Sequence, residues 1–275
     1  MTLKNLEKAN LVLWFDSSMY IGPGIEPELH KHNAVQCCIA LEGKLAVSTD
    51  GKEWLESSAA IIGANIQHSV RSNGKVLFLY LEKESNTYQN IIDYHCGQVT
   101  CDIRSKPYQM DVKPLIDQIN KCLKQDIHCN EKFEQIRQMT LACFGSQLII
   151  DRELDPRVTR ALRYINTHSL VTLSTDDIAN QANLSVGRLQ HLFKDNIGIP
   201  MRRYILWLRI IAVIRMANKM KNLTEAVVEA GFSDSPHFSR TFKMMFGISP
   251  SQLLTNRERV SIHLLNKLPN VISEE

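Results

Sequence analysis

Features that the 275-residue sequence lacks exclude several classes of protein. It has no low-complexity tract, and it does not begin with the basic segment and apolar run that a secretory signal requires. Its most apolar stretch, residues 204–217, is interrupted by Arg209 and Arg215 and is too short to cross a lipid bilayer. We therefore expect a globular protein of the cytoplasm that has no membrane partner.

Paired cysteine motifs are also absent. None of the seven cysteines is spaced as Cys-x-x-Cys, and the count is odd. In a reducing compartment this pattern predicts free thiols that pack as small hydrophobic groups. A regulator that responds to thiol oxidation stays open as an alternative.

Negative charge is scarce in one section of the chain. Residues 156–257 contain 14 lysines and arginines against 6 acidic residues, whereas the rest of the chain contains 18 basic and 23 acidic residues. Such a surplus of cations suits a polyanion such as nucleic acid. Solvated helix faces are often rich in lysine and arginine as well, so charge alone does not decide the function.

The basic section contains a repeat. LSTDDIANQANLSVGRLQHLFKDNIGIP, at 173–200, aligns with KNLTEAVVEAGFSDSPHFSRTFKMMFGISP, at 221–250, and the second copy has one extra residue in its turn. Each copy predicts a short helix, a tight turn and a second helix. Ser174 and Asn222 are placed as N-caps, and Gly198 and Gly247 as helix stops.

The second helix of each copy has an apolar stripe and a polar face. The stripes are Leu189, Leu192 and Phe193 in the first copy, and Phe238, Phe242 and Phe246 in the second. The polar face is predicted to project outward, where a helix-turn-helix unit contacts DNA bases and phosphates. The candidate DNA-binding residues are Gly187, Arg188, Gln190, His191, Lys194, Ser235, Pro236, His237, Arg240, Thr241 and Lys243. A helical bundle with an exposed polar face is the alternative.

A stretch without proline or glycine, residues 201–220, joins the two copies. As a helix it would be about 30 Å long, close to the repeat of about 34 Å in DNA. Its apolar residues lie most of the way round the helix, so we expect both copies to be buried against it.

Residues 156–257 resemble the DNA-binding domain of the AraC/XylS family of bacterial transcription regulators, and GFSDSPHFSRTFKMMFGISP is the most specific match. The resemblance implies two helix-turn-helix units in successive major grooves, a homodimer, and RNA polymerase as a partner at the promoter. By position, the base-contacting residues of the family fall on Gly187, Gln190, His191, Pro236, His237 and Arg240. Gly187 offers no side chain for such a contact.

Residues 20–85 predict a β domain. Strand-like segments at 36–43, 44–49, 52–56, 59–63 and 75–82 are separated by turn residues, and Asp50-Gly51 is a hairpin signal. Short strands at this spacing predict a small barrel or jelly roll. Residues 24–43 have the spacing Gly-x5-His-x-His-x3-Gln-x6-Gly. They resemble the first cupin motif, with glutamine in place of the usual glutamate.

A looser second match, GANIQHSVRSN at 63–73, places His68 where the third cupin histidine stands. Three imidazoles and one amide oxygen could hold a divalent transition metal. The sensor barrels of AraC-type regulators are similar to cupins and commonly take a small organic effector without metal, so no cofactor is required. The candidate effector or metal residues are His30, His32, Gln36 and His68.

The predicted fold class is α+β, with a cupin-like β-barrel and flanking helices followed by an all-α domain. The predicted boundaries are 1–150 for the sensor domain, with its barrel at about 20–85 and its helices at about 86–150, 151–156 for a linker, 157–257 for the DNA-binding domain and 258–275 for a tail. Amphipathic helices at 112–127 and 131–150 either cover the barrel or, as the resemblance suggests for the first, form a two-fold dimer interface, which we favour.

Taken together, these features predict a transcription factor that binds double-stranded promoter DNA in a sequence-specific manner and responds to a small-molecule effector. We expect a homodimer and no enzymatic activity. The alternative is a metal-dependent cupin enzyme of the oxygenase or isomerase type, for which DNA binding is secondary.

Overall fold

The computed structural model describes residues 9–14, 16–24, 29–32, 34–82, 85–94, 112–125, 129–144, 154–217, 223–246, 249–250 and 260–265. The strands are β1 Ala9–Leu13, β2 Ser17–Pro23, β3 Val35–Ala40, β4 Leu45–Ser48, β5 Leu55–Ser57, β6 Ala59–Ile62, β7 Ser69–Ser72, β8 Lys75–Leu81 and β9 Val260–Leu264. The helices are α1 Asn86–Tyr94, α2 Lys113–Lys124, α3 Cys129–Cys143, α4 Pro156–Thr167, α5 Thr175–Gln181, α6 Val186–Ile197, α7 Met201–Ala217, α8 Leu223–Glu229 and α9 Ser235–Phe246. The predicted class, a β domain followed by a helical domain, is confirmed.

Two sheets build the N-terminal domain. One has the strand order β6-β3-β8-β2-β1-β9, and the other has the order β5-β4-β7. Strand β8 shows how they pack, because successive side chains point to opposite faces of a strand. Phe78 and Tyr80 belong to the apolar layer between the sheets, whereas Leu77 and Leu79 belong to a second layer under the flanking helices.

Helices α2 and α3 cover the outer face of the larger sheet. Leu115 and Ile119 of α2 are buried with Phe133 and Ile136 of α3 in the same layer as β8. The apolar stripes of both helices are therefore used to cover the sheet, as one of the two alternatives predicted. A dimer interface on α2 stays a prediction.

A buried ion pair fixes α3 to the sheet. The guanidinium of Arg137 donates to both carboxylate oxygens of Asp16, at 3.1 and 3.0 Å, and to the hydroxyl of Ser17 at 3.0 Å. Both charged side chains are almost fully buried. Nη2 makes both bonds to the carboxylate, and this pairing satisfies charges that would otherwise be costly to bury.

The sheet extends beyond the predicted range of 20–85 at both ends. Strand β1 lies before it, and β9, in the segment predicted as a tail, pairs in parallel with β1 from Ala9–Val260 to Leu13–Leu264. Strands β2 and β7 were not predicted as strands either. Strand β5 was predicted at 52–56 but begins at Leu55, because the carboxylate of Asp50 accepts from the backbone N–H groups of Lys52 and Glu53 in the preceding turn.

The C-terminal domain has one core, arranged around α7. Tyr204, Trp207 and Ile210 of this helix are buried in one cluster with Phe193 of α6 and Phe242 of α9. The prediction that both repeats bury against the joining helix is confirmed. No helix in the described part of the chain has the length and apolar character needed to cross a bilayer.

The two domains share buried surface through β1. One face of β1 places Val12 in the layer under α2 and α3, whereas Leu11 and Leu13, on the opposite face, belong to the helical core around α7. Val260 and Ile262 of β9 pack against that same core. Strands β1 and β9 are therefore part of both domains.

Two polar contacts complete the junction. The backbone N–H of Asn86, at the start of α1, donates to the carbonyl oxygen of Gly198 at 2.8 Å, at the end of α6. Glu82, directly after β8, forms an ion pair with Arg203 in the first turn of α7, and both side chains are largely buried. The N-terminal domain is thus bonded to the end of α6 and to the start of α7.

Replacing Phe242 with alanine should lower the free energy of unfolding by about 3–5 kcal/mol, because a buried aromatic side chain leaves a cavity when it is truncated. Phe242 is 1% exposed, whereas Met244 in the same helix is 39% exposed. Urea unfolding followed by circular dichroism measures both variants. Met244→Ala should change the value by less than about 1 kcal/mol, and equal losses in the two variants would contradict the packing.

Candidate nucleic-acid interface and histidine cluster

The first repeat forms a helix-turn-helix unit from α5 and α6. The Ser174 hydroxyl caps α5 by accepting from the backbone N–H groups of Asp176 and Asp177 at 3.2 and 3.4 Å. Asn183, in the turn, has a φ of 55°, a conformation that asparagine tolerates better than most residues. Gly198 ends α6 with a φ of 89° and donates to the carbonyl oxygen of Lys194. The predicted cap and stop are both confirmed.

The second repeat forms the corresponding unit from α8 and α9. Gly231 takes the left-handed conformation in its turn, with a φ of 89°. A side chain there would be strained in any case, and a Cβ atom would lie 3.0 Å from the carbonyl oxygen of Leu170. The carboxylate of Asp234 accepts from the backbone N–H of His237 at 2.6 Å and caps α9. The predicted cap Asn222 and stop Gly247 lie outside the described residues.

Helix α6 divides its side chains as the sequence predicted. Leu189 and Phe193 are fully buried and Leu192 is half-buried. The predicted DNA-binding residues of this helix are all exposed, and they are Gly187, Arg188, Gln190, His191 and Lys194. This face offers amide, imidazole and guanidinium groups to a partner.

Helix α9 follows the prediction with one correction. Pro236, Arg240 and Lys243 are exposed and Ser235 is half-buried. Thr241 was predicted to face outward, but it is only 6% exposed. The prediction was wrong because Thr241 lies three residues after Phe238 and one before Phe242, which places it on the flank of the buried stripe.

His237 is half-buried beside its turn. Its Nδ1 atom lies 3.0 Å from the hydroxyl of Ser233, and its ring stands edge-on to Phe232 with centroids 5.4 Å apart. These contacts hold the imidazole at the rim of the outer face. Of the three base-contact candidates of α9, Arg240 is therefore the one that is exposed and has a long side chain.

The candidate effector or metal residues come together where the His30–His68 bridge joins two segments of the N-terminal domain. His30 and His68 form an isolated antiparallel bridge, with backbone N–H to carbonyl distances of 2.9 and 2.8 Å. The ligand nitrogens of His30, His32 and His68 all lie within 4.8 Å of one another. Gln36 of β3 places its Oε1 atom 3.1 Å from the Nε2 atoms of both His32 and His68. The structure thus groups all four predicted residues.

Burial keeps two of these imidazoles neutral. It lowers the pKa of His68 to about 3 and also lowers the pKa of His32, and neighbouring histidines add to both effects. The Nδ1 atom of His32 lies 3.0 Å from the carbonyl oxygen of Ala34, and that of His68 lies 2.9 Å from the carbonyl oxygen of Ile66. A carbonyl can only accept, so each Nδ1 carries the hydrogen and each Nε2 carries a lone pair.

The described cysteines do not have the character of redox sensors. Cys37 and Cys38 are fully buried, and burial raises the pKa of both thiols. Burial likewise raises the pKa values of Cys122 and Cys143. Reactive cysteines need an accessible thiolate, so these four thiols give the oxidation alternative no support. The side chains of the other three lie outside the described residues.

Two contacts that position the helix-turn-helix units were not predicted. The Glu82–Arg203 ion pair joins residues 121 positions apart, and no local pattern predicts such a pairing. The guanidinium of Arg209 in α7 donates to the carbonyl oxygen of Leu170 at 2.9 Å, close to the turn at Gly231. Arginine in an apolar helix was the available signal for this second contact.

Comparison with known proteins gives matches to the helix-turn-helix section and matches that cover most of the chain. A family described as a helix-turn-helix domain matches residues 178–256. A probable transcriptional regulator, LumQ of Photobacterium leiognathi, is 26% identical over 234 residues, which cover 81% of this chain and 90% of LumQ. The transcriptional activator RhaS of Escherichia fergusonii is 28% identical over 109 residues, and the match covers 39% of each chain.

Solved structures likewise include matches to part of the chain and matches to most of it. A transcriptional regulator from Chromobacterium violaceum, described as containing an AraC-type DNA-binding domain, is 32% identical with a TM-score of 0.35, and the match covers 37% of this chain and 92% of that one. ToxT of Vibrio cholerae is 12% identical with a TM-score of 0.45, and the match covers 87% of this chain and 98% of that one.

Replacing His68 with glutamine should flatten the dependence of stability on pH. The pKa is about 3 when folded against 6.5 for an ordinary histidine, so between these values only the unfolded chain binds the proton. The contribution of the neutral imidazole to the free energy of unfolding is then fully present above pH 6.5. It is lost by about 1.4 kcal/mol per pH unit as the pH falls towards 3.

The measurement is urea unfolding at pH 7.5 and 5.5, with a chelator present. The wild type should lose about 1.4 kcal/mol more than His68→Gln over this interval. His168→Gln, at an exposed histidine, should behave like the wild type. If His68→Gln lost as much stability as the wild type, the neutral buried imidazole would be refuted.

Proposed function

We infer the mode of action from the premise that the chain belongs to the AraC/XylS family of DNA-binding transcription regulators. The proposed function is sequence-specific recognition of bacterial promoters, with α6 and α9 in successive major grooves and the N-terminal domain binding a small-molecule effector. A homodimer that acts with RNA polymerase in the cytoplasm completes the proposal.

One observation carries the DNA-binding part of this proposal. Both second helices bury their apolar stripes in the single core around α7 and leave a polar, cation-bearing face exposed. A helix-turn-helix unit presents this kind of face to the major groove, where arginine and glutamine form bidentate contacts with bases. An ordinary bundle would not require the same arrangement twice within the most basic section of the chain.

The junction between the domains supports the regulatory part. Glu82 pairs with Arg203, and Asn86 is bonded to Gly198, at the segment where α6 ends and α7 begins. An effector that favours one arrangement of the β8–α1 segment would therefore act on the base of a DNA-contacting helix. By linkage, DNA would change the affinity for the effector by the same factor.

The enzyme alternative depends on the same histidine cluster. The variant His32→Ala distinguishes it from the regulator. A cupin enzyme would lose turnover of its substrate in His32→Ala while promoter binding was kept. Under the proposed function, the chain is a regulator and not an enzyme, and His32 serves ligand binding alone.

Arg240→Ala should weaken binding to a selected genomic site by about 1–3 kcal/mol and relax the preference at one base position. The reason is that Arg240 is exposed on α9 and can donate two hydrogen bonds to a guanine. Affinities for the selected site and for its single-base variants test this. Lys52→Ala, at an exposed lysine of the sensor domain, is the control and should bind as the wild type does. Equal losses on cognate and random DNA would restrict Arg240 to phosphate contact.

Lys243→Ala should weaken binding to all sequences alike and flatten the dependence of affinity on salt. Lys243 is exposed one turn beyond Arg240, where a point charge suits a phosphate. Removing one phosphate contact lowers the slope of log affinity against log salt by about 0.9 for duplex DNA. Titrations at several salt concentrations measure the slope. A slope equal to that of the wild type would place Lys243 away from the DNA.

A further inference from the structure

We propose that His30, His32 and His68, with Gln36, form a binding site for a divalent transition-metal ion in the N-terminal domain. The site stands on the convergence of side chains from two segments, 30–36 and 66–68, at the bridge that joins them. Zn²⁺, Co²⁺, Ni²⁺ and Fe²⁺ are the ions suited to imidazole ligands with one oxygen.

The orientation of the rings is the first argument. His32 and His68 each use Nδ1–H to bind a backbone carbonyl, and both Nε2 lone pairs point towards Gln36. Histidines that hold metals are fixed in this way, by a bond from the other ring nitrogen to a carbonyl or carboxylate. The tautomer needed for a ligand is therefore already selected.

The polarity of the groups at the centre of the cluster is the second argument. With Gln36 Oε1 at 3.1 Å from both Nε2 atoms, an oxygen and two lone pairs face one another without a hydrogen between them. A shared cation would resolve this conflict. The opposite amide orientation would also resolve it, because the glutamine NH₂ would then donate one hydrogen to each ring.

The dimensions of the cluster fit one ion. Zinc–nitrogen bonds are about 2.0–2.1 Å, so two nitrogens at a tetrahedral angle on one ion lie about 3.4 Å apart. The three ligand nitrogens lie within 4.8 Å of one another, and ring movements of less than about 1 Å bring them into range. His30 is half-buried whereas His32 and His68 are buried, so an ion could enter from the side of His30.

The position of the site connects it to the DNA-binding domain. Gln36 lies opposite Tyr80 in the pairing of β3 with β8, and Tyr80 is two residues before Glu82, which pairs with Arg203. An ion that fixes Gln36 would stabilise the end of β8 that holds α7. We therefore assign the metal the role of effector, a part of the proposal that rests on the proposed function.

Metal binding is tested on the full-length chain without a histidine tag, stripped with a chelator and titrated with Co²⁺. One equivalent should bind with visible d–d absorption, and Zn²⁺ should displace it. His30→Ala should weaken binding by about tenfold or more, and the exposed His168→Ala should not. Binding of less than about a tenth of an equivalent, or equal binding by wild type and His30→Ala, would overturn the site.

Gln36→Glu separates the metal from the alternative amide orientation. A carboxylate is a stronger metal ligand than an amide oxygen, so this variant should bind Co²⁺ at least as tightly as the wild type. If Gln36 instead donates to both rings, the change removes two hydrogen bonds and places a carboxylate against two lone pairs. A loss of Co²⁺ binding together with a lower stability in chelator would then overturn the proposal.

The regulatory part has a separate measurement. Affinity for a selected genomic fragment, with chelator or with one equivalent of Zn²⁺, should differ about fivefold or more in the wild type. The difference should be absent in His30→Ala. Stoichiometric Co²⁺ binding with no change in DNA affinity would overturn the effector role and leave the site intact. A failure to retain any genomic fragment over random DNA would instead refute the proposed function.

Discussion

Burial of α7 between the two helix-turn-helix units is the interaction on which the rest of the structure depends. Helices α5 and α8 have seven residues each, too few to be stable alone in water. Their units become ordered because Phe193 of α6 and Phe242 of α9 share one core with Tyr204 and Trp207 of α7. Each fully buried large side chain contributes about 1.5–3 kcal/mol, so the outward faces of α6 and α9 depend on their inward ones.

The same core extends into the N-terminal domain. Leu11 and Leu13 of β1 complete the helical cluster from one face of the sheet, whereas Val12 faces α2 and α3. A strand with both faces buried cannot slide by one residue without exchanging these two sets of side chains. The pairing of β9 with β1 in parallel register brings the end of the described chain back to this strand. The arrangement of the domains is therefore set by packing and not only by the connecting segment.

Much of the helical domain was predictable from the sequence because its signals are local. Caps, turns and apolar stripes all lie within a few residues, and Ser174 and Gly198 were recognised on that basis. Thr241 shows where polarity misleads, because this polar residue lies next to a buried stripe and was predicted on the outer face from its polarity alone. Its position relative to Phe238 and Phe242 would have placed it inside.

The sheet was less predictable because its decisive contacts are not local. Strand β9 pairs with β1 across 251 residues, from Ala9 to Val260. No pattern in either segment predicts this pairing. The histidine cluster lies between these extremes. The alternation of a strand placed Gln36 on the face occupied by Cys38, but the approach of His68 to His30 required the bridge between two loops. The resemblance to cupin motifs indicated the residues, and the topology brought them together.

The two faces proposed to contact DNA are unequal, and neither one alone supplies the discrimination of a specific regulator. Helix α6 exposes Arg188, Gln190 and His191, whereas α9 exposes Arg240 and holds His237 at the rim. Each good bidentate base contact contributes about 1–3 kcal/mol of discrimination, but specific regulators bind their sites about 4–10 kcal/mol more tightly than random DNA. One unit with one or two such contacts is insufficient. Discrimination of that size requires both faces to bind one duplex together. The shared core around α7 holds the two helices in a fixed relative position for this purpose.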